Sequence, residues 1–148
     1  MKQLTILLAL FFVTIAQASN GLINLKSQYD VETTVERLEN ALVEKGMMLL
    51  TRINHAQAAK DVSIKLRPTQ LLIFGNPAVG SKLMQCSQTS GIDLPLKALI
   101  TEDEQGQVWF TYNDPSYIAT RHKAEGCDKL VENMSRAMAG FARAATQR

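Results

Sequence analysis

Leu66–Lys97 reads LRPTQLLIFGNPAVGSKLMQCSQTSGIDLPLK, and this stretch decides the fold. Leu66 to Phe74 is apolar enough for a strand. Pro68 sits near its beginning, where a missing N–H is tolerated. Gly75-Asn76-Pro77 is a turn. Gly75 admits backbone angles closed to other residues, and Pro77 holds Asn76 extended and suits the first turn of a helix. Leu83, Met84 and Cys86 supply the core side of that helix, which ends by Gly91. Asp93-Leu94-Pro95-Leu96 then leads into a second strand, through about Thr101. The order is strand, turn, short helix, strand.

Working outward toward the N-terminus, Asn54 caps a short alanine-rich segment, His55 to Val62. Met47 to Ile53 is a strand whose first residues are almost continuously apolar, so both its faces are expected to be partly covered. Val31, Val35, Leu38 and Leu42 form one apolar helical face behind an Asp30 cap, and Gly46 ends that helix. Gly21 to Tyr29 is a further strand. Toward the C-terminus, Glu102 to Gly106 is a polar turn and Gln107 to Tyr112 returns as the second strand of a hairpin. Val108, Phe110 and Tyr112 share one face of it; Trp109 and Thr111 share the other. Asp114 and Pro115 start a helix to about His122. A last helix runs from about Cys127 to Ala145, with a stripe of Leu130, Met134, Met138, Phe141 and Ala145 widened by Ala137.

The first residues stand apart. Lys2, the apolar run Leu4 to Ile15 and Ala16-Gln17-Ala18 have the three parts of a secretory signal peptide cleaved after Ala18. The expected organisation is a leader at 1–18 and one α+β domain at 19–148, periplasmic or secreted. The apolar run is short for a spanning helix, which needs ~20 residues. Losing Lys2 leaves 15 basic against 14 acidic residues, a net charge of +1. Those charges are mixed along the chain, and a nucleic-acid partner would call for a basic stripe. Cys86 and Cys127 are an even pair, and an oxidising compartment favours joining them. Two buried, unjoined thiols are the alternative.

Gly75 to Lys82 reads GNPAVGSK, one exchange from the phosphate-binding pattern G-x-x-x-x-G-K-[ST]. Reversing Ser81 and Lys82 rotates each by about 100° around a helix axis, so nucleotide hydrolysis loses its mechanics. Free N–H groups at the start of the helix leave a weaker expectation, an anion site, beside a plain turn. The histidines are His55 and His122. Two imidazoles can serve as an acid–base pair or as metal ligands, but two alone make no zinc pattern. Neither a metal nor a cofactor is implied.

Several of these motifs together resemble one bacterial family, domain of unknown function family 302. They are Leu66-Arg67-Pro68-Thr69, Leu72-Ile73-Phe74-Gly75-Asn76-Pro77, Gly80 with Leu83-Met84, and Asp93-Leu94-Pro95-Leu96-Lys97. His55 with Ala58-Ala59, Tyr112-Asn113-Asp114-Pro115 and Arg121-His122 fit as well. The resemblance implies a TBP-like α+β fold. Its curved, mainly antiparallel sheet carries helices on one face, in the order β-α-β-β-α-β-β-α. It also implies that homodimers are plausible, and it carries no site role. The cysteines lie outside the family's pattern.

Two functional readings follow. One is a non-catalytic envelope protein that binds a small molecule or partner between sheet and helices. The other is a hydrolase or isomerase using His55 and His122. The candidate pocket residues are His55, Gly75, Asn76, Asp93, Lys97 and His122. Gly75-Asn76 is expected on the rim, with Asp93 and Lys97 nearby.

Overall fold

In a computed structural model, residues 20–148 are described; the expected leader lies outside them. Five strands, β1 (Leu22–Lys26), β2 (Met48–Asn54), β3 (Thr69–Gly75), β4 (Leu96–Glu102) and β5 (Val108–Asn113), form one antiparallel sheet. Their spatial order is β1-β5-β4-β3-β2. The helices are α1 (Val31–Glu44), α2 (His55–Asp61), α3 (Pro77–Cys86), α4 (Pro115–Arg121) and α5 (Asp128–Thr146), with a 3-10 turn at Gln88–Ile92. The α+β class and the curved antiparallel sheet are as the sequence predicts.

Short polar side chains set where α1 to α4 begin. Asp30 accepts from Thr33 N at 2.7 Å, Asn54 from Gln57 N at 2.9 Å, Asn76 from Ala78 N at 3.0 Å and Asp114 from Ser116 N at 2.9 Å. Each satisfies a backbone donor that the first helical turn leaves without a partner. Pro115 and Pro77 follow their caps directly, where their missing N–H costs nothing.

Alternation along the strands builds the main core. Leu72, Phe74, Ala98, Ile100, Val108, Phe110 and Tyr112 point to one face, where Val35, Leu38 and Leu42 of α1 and Met138, Phe141, Ala142 and Ala145 of α5 meet them. Phe74 and Phe141 pack edge-to-face at 6.1 Å between ring centroids. A second cluster joins α3, α4 and α5 through Leu83, Ile118, Ala124, Cys127, Val131 and Met134. Cys86 and Cys127, 6.3 Å apart at their Cα atoms, are joined as a disulfide across this cluster.

Two expectations are corrected here. β2 is not covered on both faces: it is an edge strand, and Met48, Leu49 and Leu50 are exposed. A bulge at Leu50 breaks its register with β3, between the pairs Leu49↔Phe74 and Thr51↔Ile73. The stripe of α5 is widened by buried Val131 and Ala142, while Ala137 is exposed.

Candidate functional site

β3 ends at Gly75 beside Met48, the first residue of β2, because the two strands run antiparallel. The loop before β4 comes to the same end: a Cβ at Gly75 would lie 3.5 Å from Pro95. α3 leaves this end of the sheet and α5 runs past it. Between them lies an open cleft of about 490 Å³. Met48 and Leu50 form one wall, Val79, Gly80 and Met84 of α3 another, and Met134, Met138 and Phe141 of α5 the floor. Leu94, Pro95 and Leu96 close the remaining side. The polar side chains on it, Asn76, Ser81 and Asn133, are all neutral. A cleft of this size and lining falls in the range of small-molecule sites.

Gly75 and Asn76 line this cleft, and the other four sequence-named candidates do not. Asp93 and Lys97 brace the adjoining loop. Lys97 Nζ donates to the carbonyls of Asp93 and Pro95, each at 2.8 Å. Partial burial lowers the Lys97 pKa below the usual lysine value, and the Asp93 charge opposes that shift. Asp93 Oδ2 lies 2.6 Å from His122 Nε2, and its Oδ1 lies 3.3 Å from Arg121 Nη1. Thr89 Oγ1 lies 3.0 Å from His122 Nδ1. Ser87 Oγ donates to the His122 carbonyl at 2.7 Å. His122 therefore ties the end of α4 to the 3-10 turn.

His55 is at the other end of the sheet. It follows Asn54, which pairs with Gln70, whereas Asp93 precedes the strand whose Leu96 pairs with Phe74. Gln70 and Phe74 are four residues apart on β3, ~13 Å at the rise of a strand. The structure does not bring the two imidazoles together. Among the described residues no group of three or more His, Cys, Asp or Glu is placed to hold a metal ion.

The anion expectation at the start of α3 is also corrected. Asn76 Oδ1 takes the Ala78 N–H, and the Asn76 carbonyl takes those of Val79 and Gly80, both at 3.0 Å. Pro77 has no N–H to offer. The helix start is closed by its own cap. What sequence reasoning missed is the cleft's floor and wall. Its methionines come from three separate parts of the chain, and no local pattern marks them as neighbours.

A sheet backed by two long helices, with an apolar cleft where its edge strand meets α3 and α5, defines a small α+β domain built around a concave site. The chain belongs to the family described as "Domain of unknown function DUF302", whose model matches residues 23–141. The crystal structure of an uncharacterized conserved DUF302 protein from Bacillus stearothermophilus is similar to it, with a TM-score of 0.77 and 15% identity. That match covers 86% of this chain and 99% of the other. The chain is also similar, at 45% identity over 103 residues, to "Fluoride-specific ion channel FluC 1" of Brucella suis biovar 1 (strain 1330). The match covers 70% of this chain and 41% of that protein. The same identity and length of match relate it to "Fluoride-specific ion channel FluC 2" of Brucella melitensis biotype 1, with 38% of that protein covered. The chain thus spans about two fifths of the length of these curated relatives. No helix among the described residues is long and apolar enough to cross a membrane.

Proposed function

We propose that the protein is a non-catalytic binding module of the cell envelope that holds a small molecule or a partner in the cleft between β2, α3 and α5. The observation that carries this reading is the cleft: about 490 Å³, apolar, and without a charged side chain in its lining. Such a lining suits recognition by burial and places no titratable side chain at its walls. Export is supported by the leader-like first residues and by the joined Cys86–Cys127 pair, since disulfides persist in oxidising compartments. The Brucella relatives support a place near a membrane. Channel activity is not carried over: the match covers 41% of that protein, and no helix among the described residues is long and apolar enough to cross a bilayer, as a helical pore requires. A second copy of the chain is a further partner in this reading, supported by the exposed apolar edge of β2.

Native mass spectrometry of protein purified from the periplasm tests the proposal. The expected result is a chain that begins at Ser19, has lost two hydrogens to the disulfide and carries a retained small-molecule mass. A chain without added mass that also binds no hydrophobic probe would overturn the binding reading.

A further inference from the structure

Two features of the cleft are not demanded by the fold. The first is its sulfur. All five methionines among the described residues line it: Met47, Met48, Met84, Met134 and Met138. Methionine is flexible and polarisable, and it adapts an apolar surface to a guest rather than fixing one shape.

The second is Gly80, in the interior of α3. Its backbone is not in the left-handed region. A Cβ there would meet only Leu94 Cδ1, at 3.7 Å, an ordinary contact. Neither conformation nor a close neighbour requires glycine, and glycine within a helix is unfavourable relative to alanine. What its missing side chain does is leave the α3 wall of the cleft open. Across the cleft, Ala137 of α5 is also small and exposed.

We propose that the cleft takes an uncharged apolar molecule, a hydrocarbon chain or ring system with at most one neutral hydrogen-bonding end, and that Gly80 makes the room for it. The inference rests on the binding-module reading and narrows it to a ligand class. The walls bury hydrocarbon, while a buried ion would face no opposite charge among the lining residues. The amides of Asn76 and Asn133 and the Ser81 hydroxyl offer hydrogen bonds to a neutral end.

Nile red titration of the full chain, followed by competition, tests this. The competitors are 1-dodecanol, dodecanoate and dodecyltrimethylammonium, which share one chain length and differ in charge. Dodecanol is expected to displace the dye at concentrations at least about tenfold below either ion, the ratio set by ~1.4 kcal/mol of charge burial. Equal competition by all three overturns the ligand class. Gly80→Leu is expected to weaken Nile red binding more than about tenfold while the melting temperature holds. Gly80→Ala is expected to raise that temperature by roughly 3 °C. If Gly80→Leu fails to fold, Ala137→Leu fills the same space from an exposed position, with the same loss expected. Undiminished dye binding in the variant that folds overturns the role of Gly80. Failure of the wild-type protein to bind Nile red removes the binding-module reading itself.

Discussion

Asp93 ties its own loop to the end of α4 with one carboxylate, which meets both Arg121 and the imidazole of His122. The His122 side chain is only 8% exposed, so removing the carboxylate leaves a nearly buried ring nitrogen without its partner. Asp93→Ala is expected to cost about 1–3 kcal/mol in urea unfolding, with Asp93→Asn between it and wild type. Lys97 makes a different prediction. Its folded pKa is lowered by burial, so from that lowered value up to the unfolded value of 10.5 the native state binds fewer protons than the unfolded state. Stability contributed by this group therefore rises with pH across that window, since the cost of burying the charge is lifted. Lys97→Met is expected to flatten that rise in unfolding curves taken from pH 8 to pH 10.5. A rise of the same size in the variant assigns it to another group. Single residues were legible from sequence where the cause is local. Asp30, Asn54 and Asp114 cap the helices that follow them, because a cap acts within three residues of itself; the Asn76 cap was missed, its helix start having been read as open. His55 and His122 were not legible as neighbours or strangers, because their separation depends on strand pairing.

β2 shows the same limit at the scale of an element. Its run of apolar residues predicts a strand, and a strand forms, but apolarity alone does not say whether a strand is central or at an edge. The sheet order puts β2 outermost, with Met48 52%, Leu49 38% and Leu50 50% exposed. Its one charge, Arg52, is turned inward to Glu32 at 2.6 Å and is half-matched again by Glu39 at 3.7 Å. The opposite edge differs: β1 is shorter, and Lys26 stands over the Trp109 ring. Charged residues on an edge discourage pairing with another chain. The second-copy reading therefore places the contact at β2, through side chains around the bulge rather than a continuous ladder. Leu50→Lys is expected to shift the sedimenting species to the monomer, whereas Leu22→Lys on β1 leaves the mass unchanged. A Leu50→Lys protein that keeps the wild-type mass removes β2 as the contact.

At the scale of the whole molecule, the two hydrophobic clusters have different means of support. The larger is sealed between α1, α5 and the strands β1, β3, β4 and β5, and ten of its fifteen buried side chains lie on the helical stripes or the alternating strand face that the sequence displays. The smaller gathers Leu83, Ile118, Ala124, Cys127, Val131 and Met134 from three helices and the loop between two of them. No periodicity joins those positions, which is why the cleft's floor and α3 wall were not legible in the chain, although Gly75 and Asn76, named from the sequence, line it. The Cys86–Cys127 bond spans this smaller cluster and ties α3 to the start of α5, the two helices that form the wall and floor of the cleft. Closing a loop of 41 residues removes freedom from the unfolded chain worth about 4 kcal/mol in the loop-entropy account. Cys86→Ala with Cys127→Ala is expected to lose about that much in global unfolding. The loss is not expected to fall evenly. Amides of β3, β4 and β5 are buried under the larger cluster, whereas α3 contacts α5 only through the smaller one, so hydrogen exchange should quicken most in α3 and the 3-10 turn. If exchange in the central strands quickens as much as in α3, the two clusters unfold as one unit and the disulfide stabilises the fold without holding the cleft.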